Sequence, residues 1–263
     1  KVKNIRNRMK IISWNVNGIR SAHKKGFWKS VETINPDIVC LQEIKAQKNN
    51  LEELFPTGLF TTPQYHFYSN PANKPGYSGV AVLTKKQPVS IKDRLILSRF
   101  DEEGRILELK YPEFTLINLY IPHGGRIKEN LPYKLEVYNQ LLKHLKEIKE
   151  TNIILTGDFN IADTEMDLAR PKENQNNTMF TPEERDKISE LLSMGFVDSF
   201  RKFDNKNGGY TWWPYAYEAR ERNLGWRLDY IFVSRAFSSK LKSAFILPGV
   251  RGSDHCPVGI EII

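Results

Sequence analysis

Residues Asn152–Asn160 read NIILTGDFN. The run Ile153-Ile154-Leu155 is apolar on both sides of the chain, which predicts a short buried strand, and Gly157 is expected to allow a tight turn at its end. Asp158 and Asn160 then leave that strand end together. A carboxylate there accepts a proton from water or holds a cation, while an amide orients the water or donates to a developing oxyanion. An Asx turn that merely closes the strand uses the same residues. The choice between the two rests on how the other strands end.

Outward from this stretch, Met9 to Val16 predicts a strand leading into Asn15, Asn17 and Gly18, and Ile38 to Leu41 a second one ending at Gln42-Glu43. Strands are also expected at Gly79 to Leu83, Ile91 to Leu97, Arg105 to Leu109 and Phe114 to Leu119, with short connections that favour antiparallel neighbours. The last of these runs into Tyr120-Ile121-Pro122-His123. Helices are predicted at 26–35, where Phe27, Val31 and Ile34 share a face before Pro36, and at 47–55. The clearest helix spans 132–149, with Leu135, Tyr138, Leu141, Leu142, Leu145 and Ile148 on one stripe. Thr181-Pro182-Glu183-Glu184 has the form of a capping box, so a further helix is expected at about 182–193. Asp229 precedes the strand Tyr230 to Val233, and Ser253-Asp254-His255 precedes the one from Pro257 to Ile263.

The polarity of these ends is the informative feature. Four strands carry polar groups at their C-terminal ends, near Asn15, Glu43, Tyr120 and Asp158, and two carry them at their N-terminal ends, Asp229 and His255. If the two sets run antiparallel, all six clusters meet at one edge. Glu43, Asp158, Asp229 and Asp254 together are too much negative charge to bury without a cation. Oxygen donors without a Cys or His cluster suit Mg²⁺ or Mn²⁺ better than Zn²⁺. The chemistry implied is metal-assisted attack of water on a phosphate ester. An acid such as Asp229 could hydrogen-bond the His255 ring and fix its tautomer.

The 263 residues have 40% hydrophobic and 27% charged content, a globular composition compatible with one large α/β domain. The expected division is a basic flexible tail at 1–9 and a single domain at 10–263. No apolar run approaches membrane-spanning length, and no apolar segment follows the basic start, so an intracellular protein is expected, and it is taken as a monomer without a sequence feature that decides it. Cys40 and Cys256 have no metal or redox spacing and read as buried thiols. A net charge of +8 favours polyanionic partners. The segment from Tyr210 to Arg227, YTWWPYAYEARERNLGWR, interleaves aromatics with arginines, which suits a nucleic-acid backbone and an unstacked sugar or base. Core packing is the other account of its aromatics.

Taken in order, Ser13-Trp14-Asn15-Val16-Asn17-Gly18, Leu41-Gln42-Glu43, Gly76-Tyr77-Ser78-Gly79, Gly157-Asp158-Phe159-Asn160, Trp226-Arg227-Leu228-Asp229-Tyr230 and Ser253-Asp254-His255-Cys256-Pro257 resemble the exonuclease III family of abasic-site endonucleases. The resemblance runs from about residue 10 to the C-terminus. It implies a four-layered α/β sandwich of two packed mixed sheets, and a Mg²⁺-dependent enzyme, with Mn²⁺ able to substitute, that cuts duplex DNA 5′ to abasic or damaged sites in base excision repair. It implies Glu43 as the main metal ligand with Asn15, Asn17 and Asp254 around it, and Asp158 as the group that activates water. Asn160 would stabilise the transition state, Tyr120 would contact the scissile phosphate, and Asp229 would orient His255. Trp212, Trp226 and Leu228 would form the pocket for a flipped abasic sugar. Arg105, Arg126, Asn174 and Asn177, with Tyr77 and Arg227, would lie along the DNA, and Asp167 also matches a site position.

His123 departs from the pattern, since Asn commonly follows Tyr-x-Pro in that family. Two other readings share the same residues: a phosphatase or phospholipase acting on a small phosphoester, and a nucleic-acid binder without chemistry. The aromatic-arginine segment argues against the first and the full set of carboxylates against the second.

Overall fold

The computed structural model describes residues 8–55 and 65–263. In chain order, β1 (Met9–Asn15), β2 (Ile38–Gln42), β3 (His66–Asn70) and β4 (Val80–Thr84) begin one sheet. The chain then builds a second sheet from β5 (Ser90–Lys92), β6 (Ile106–Lys110), β7 (Thr115–Tyr120), β8 (Ile153–Asp158), β9 (Phe196–Asp198) and β10 (Asp229–Ser234). It returns to the first with β11 (Leu241–Ile246) and β12 (Val258–Ile262). The strand orders are β11-β12-β1-β2-β4-β3 and β5-β6-β7-β8-β10-β9.

The helices are α1 (Ile19–Lys24), α2 (Phe27–Ile34), α3 (Lys48–Leu54), α4 (Ser98–Glu102), α5 (Leu131–Glu147), α6 (Pro182–Ser193) and α7 (Ser199–Phe203). None among the described residues is long and apolar enough to cross a membrane. The predicted capping box is present: Thr181 Oγ1 accepts from Glu184 N, and Glu184 Oε2 accepts from Thr181 N.

Alternation along the strands creates the layers. Ile11, Cys40 and Ile154 face the space between the sheets, with Leu109, Leu116, Val233 and Ile260. Their neighbours Ile12, Val39 and Leu41 face outward against Phe27, Val31 and Leu51 of the first helices. Ile153 and Leu155 face the other way, against Val137, Tyr138, Leu141, Ile188 and Leu191 of α5 and α6. Three apolar interfaces between four layers follow, and each fully buried aliphatic side chain contributes roughly 1.5–3 kcal/mol. This is the expected four-layered α/β sandwich.

β1 and β2 are parallel, as are β7 and β8, while β12 runs antiparallel to β1 and β10 antiparallel to β8. The C-terminal ends of four strands therefore lie beside the N-terminal ends of two. The convergence inferred from strand polarity is the geometry found.

Three expectations change. The strand expected at 91–97 is limited to Ser90–Lys92, because Leu95 and Leu97 turn their N–H groups onto the Asp101 carboxylate. Gly157 is not a turn residue: it lies within β8 at φ 141, where a Cβ would collide with the Leu119 carbonyl. The turn comes after it, at Asn160 (φ 52), whose N–H is accepted by Asp158 Oδ1 at 2.9 Å. Of the basic tail expected at 1–9, residues 1–7 lie outside the described residues, while Met9 opens β1 and Arg8 reaches Glu261 at 3.8 Å.

Candidate active site

β1 and β2 end side by side in one sheet, β7 and β8 in the other, and their last side chains close the gap between the sheets. Asn15 Nδ2 donates to Asp158 Oδ2 at 2.8 Å and to Glu43 Oε2 at 3.1 Å. Asn15 Oδ1 in turn accepts from Asn17 N, so one amide is held at both ends. Asn17, Glu43 and Asn160 all stand at positive φ, 43, 54 and 52. Left-handed backbone at non-glycine residues is uncommon and is concentrated at functional sites.

From the opposite direction, Asp229 opens β10 and Asp254-His255 precede β12. His255 Nδ1 is 2.8 Å from Asp229 Oδ2, as expected, and its Nε2 lies 3.9 Å from Asp158 Oδ2. Burial opposes a charge on this ring, yet Asp229, Asp158 and Asp254 outweigh it and push its pKa up to about 10. His255 is therefore a cation at neutral pH. Burial also raises the pKa of Asp158, and Asp229 adds to the shift, against the opposing pull of His255 and the Asn15 and Asn160 hydrogen bonds. Asp254 turns away from its neighbour: its oxygens accept from Asn17 Nδ2 at 2.9 Å and from Trp212 Nε1 at 3.0 Å.

Tyr120 ends β7, and its hydroxyl meets Glu43, while burial and that carboxylate raise its pKa well above the usual value. Arg105 lies beneath it. Only 3% exposed, Arg105 donates to Glu103, the Tyr120 carbonyl and the Tyr77 hydroxyl, and its guanidinium lies 4.5 Å from the centre of the Tyr120 ring. The expectation that Arg105 lies along DNA is thus corrected: it is buried, and each of its three nitrogens donates within the protein, to Glu103, Tyr120 and Tyr77.

An aromatic cluster forms where two backbone segments pair. Trp212 and Trp226 exchange backbone hydrogen bonds, and both side chains pack beside Leu228, Ala162, Leu168, Met179 and Phe180. Leu228 is 1% exposed and is a wall rather than a lip. Arg227 is corrected in the same way as Arg105. It is 1% exposed, donates to Asp167 and Asp198 at 2.7 Å each, and stacks on Tyr230, so it braces the segment that carries Trp226 and Leu228. Asp167, also held by Arg201, is part of that brace. Arg126 and Asn177 are exposed and Asn174 is half-buried, on loops at the rim. His123 begins one of them, and its Nδ1 accepts from Gly125 N at 2.9 Å. Trp213 is core, 2% exposed.

Sequence reasoning missed Lys45, Lys134 and Glu184. Lys45 Nζ lies 2.8 Å from Glu43 Oε1 and 2.6 Å from Asn17 Oδ1, and its place two residues after Glu43 was the available signal. Lys134 and Glu184 pair at 0% exposure behind Asn160; the sequence marked Glu184 as a capping-box acid but gave no sign of Lys134 as its partner.

The residues present fit a divalent metal. Asp158 and Asp229 offer carboxylate oxygens within 4.8 Å of each other beside the His255 ring, and Asp229 Oδ1 is buried with no hydrogen-bond partner among the described residues. Glu43, Asp158, Asp229 and Asp254 face two cations, Lys45 and His255, which leaves two negative charges uncompensated when all four acids are ionised. A doubly charged ion with a preference for oxygen matches that balance.

Residues 12–255 match the model of the endonuclease/exonuclease/phosphatase family. Over 262 residues the chain is 42% identical to a DNA-(apurinic or apyrimidinic site) endonuclease of Dictyostelium discoideum, covering 97% of this chain and 71% of that protein. It is 38% identical to an exodeoxyribonuclease of Bacillus subtilis (strain 168), covering 97% of this chain and 99% of the other. An AP endonuclease from Archaeoglobus fulgidus superposes with a TM-score of 0.85 at 29% identity, over 96% of this chain and 98% of that one. With its strand-end carboxylates meeting across two sheets, this chain belongs to the endonuclease/exonuclease/phosphatase family, in the exonuclease III branch of abasic-site endonucleases.

Proposed function

We propose that residues 10–263 form one catalytic domain that hydrolyses the phosphodiester 5′ to an abasic site in duplex DNA, inside the cell, and leaves a 3′-hydroxyl. Exonuclease action in the 3′ to 5′ direction and removal of 3′-blocking groups use the same chemistry. The names of the relatives support this reading, and one observation carries it: Asp158, at a buried strand end, is flanked by the Asn15 amide and the cationic His255, beside the packed aromatic cluster of Trp212 and Trp226.

Asp158 accepts the proton of the attacking water, since its raised pKa brings it closer to neutrality than a surface carboxylate. His255, fixed by Asp229, stabilises charge developing on the phosphate. Tyr120, backed by Arg105, meets the phosphate at the same edge. Asn160 spends one N–H on the Ile121 carbonyl and has the other for a phosphate oxygen. Glu43, with Asn15, Asn17 and Asp254 beside it, would hold Mg²⁺ or in its place Mn²⁺, which when bound offsets charge on the phosphate and polarises it. Trp212, Trp226 and Leu228 would form the walls that receive a sugar without its base. Arg126, Asn174, Asn177 and Tyr77 at the rim hold the DNA backbone.

The product ends test the reading. After cleavage of a duplex carrying one tetrahydrofuran residue, the upstream fragment should be extended by a DNA polymerase without further treatment. A fragment blocked by a 3′-phosphate or 3′-aldehyde contradicts it.

A further inference from the structure

Among the non-glycine residues near the site in left-handed backbone, Asn160 at φ 52 and Met179 at φ 71 are both tethered to one buried ion pair. Lys134 of α5 and Glu184 of α6 are each 0% exposed and meet at 2.5 Å. Lys134 Nζ also donates to the Asn160 carbonyl at 2.5 Å. Glu184 Oε1 accepts from Met179 N at 3.1 Å, and its Oε2 from Thr181 N at 3.0 Å.

Burying two charges is costly, and an apolar pair of similar volume is often as stable or more so. Stability alone is a weak reason for such a pair. Its position supplies another. Residues 159–161 leave β8 with their carbonyls pinned in turn by Tyr138 Oη, Lys134 Nζ and Tyr230 Oη, and the pin on Asn160 is the charged one. At its other end the pair fixes Met179, just after Asn174 and Asn177 on the rim loop. Asn177 Nδ2 donates to Asn174 Oδ1 at 3.0 Å there.

We infer that the Lys134–Glu184 pair is a positioning device: it holds the Asn160 amide in register with Asp158 and ties that register to the loop carrying Asn174 and Asn177. The inference rests on the role proposed above for Asn160. Neither member touches substrate. Each acts through the backbone it holds, and loss of that hold lowers kcat, because displacement of a reacting group by about 1 Å costs as much as 100-fold in rate.

The test uses Lys134→Met, Lys134→Arg, and the double variant Lys134→Met/Glu184→Gln, which leaves no unpaired charge. For each, incision of an abasic duplex under steady-state conditions gives kcat and KM, and thermal unfolding gives Tm. The double variant should recover most of the Tm lost by Lys134→Met, yet keep kcat lowered about 10- to 100-fold with KM within about threefold. Lys134→Arg, which keeps a cation and spare donors, should regain part of the rate. Wild-type kcat in the double variant, or a rate that returns in step with Tm, overturns the inference. Wild-type protein that leaves the abasic duplex intact removes the parent reading and this one with it, whereas a cutting wild type with unaffected variants removes only this one.

Discussion

The Asn15 amide donates to the Asp158 carboxylate at 2.8 Å, and this bond joins the ends of β1 and β8, strands of different sheets. The reacting edge is thus assembled between the two halves of the sandwich. Anything that holds the sheets in register also holds Asp158 beside Glu43.

Asp158→Asn keeps the shape and an acceptor for Asn15 but removes the base. Cleavage is expected to fall at least ~100-fold, the scale of lost general-base catalysis, with the dissociation constant for an abasic duplex within about threefold of wild type. Binding lost in parallel with rate would assign Asp158 to the structure instead.

Glu43→Gln keeps an oxygen ligand without its charge, and Lys45 already engages one oxygen of this carboxylate at 2.8 Å. The Mg²⁺ concentration for half-maximal activity should rise at least about tenfold, with partial recovery in high Mg²⁺ or in Mn²⁺. An unchanged Mg²⁺ requirement would show that Glu43 does not hold the ion.

Trp226→Ala opens the pocket wall beside Leu228 and Phe180. Preference for abasic over intact DNA should fall more than overall affinity, since rim contacts set general binding while the wall selects what enters. Unchanged preference, measured by competitive incision of the two duplexes, would return Trp226 to a packing role.

His123 gives the pH prediction its sign. Its side chain reaches the surface, but partial desolvation and then the Lys134 charge lower its pKa below the ordinary 6.5. Nδ1 also needs its lone pair for the Gly125 N–H, so the ring is neutral at pH 7. A folded pKa below the unfolded one means that the neutral ring's contribution is present above about pH 6.5 and lost as pH falls through the folded value. Asn makes the same bond to an N–H two residues on, as in an Asx turn, and does not titrate. His123→Asn should therefore match wild type within about threefold at pH 7.5 and decline less steeply below pH 6.5. Superimposable rate profiles from about pH 5 to 8 would show that the ring does not matter there.

Much of this was legible in the sequence because strands alternate. A strand apolar on both faces must be covered on both, and a polar group at its end must point toward an edge, so the converging carboxylates followed from polarity, whereas the four-layered sandwich was implied by the family resemblance. The direction in which a charged side chain points did not. Arg105 and Arg227 look like DNA contacts in sequence, yet each folds inward onto a carboxylate and a tyrosine. Lys134 looks like a solvated charge and Glu184 like a capping-box acid 50 residues away, and they become a buried pair only when α5 packs on α6. β3 and β11 passed unnoticed because their half-buried residues give neither a clean alternation nor an apolar run.

The central claim is that these carboxylates serve metal-dependent cleavage at abasic sites. Its most direct measurement is the incision of two end-labelled duplexes, one with a single abasic analogue and one with an intact base at that position, each in Mg²⁺ and in excess chelator, by wild type and Asp158→Asn. The account predicts one cut, 5′ to the abasic residue, only with Mg²⁺ and only by the wild type. Cleavage that persists in chelator, or that ignores the abasic residue and falls equally on both duplexes, would contradict it.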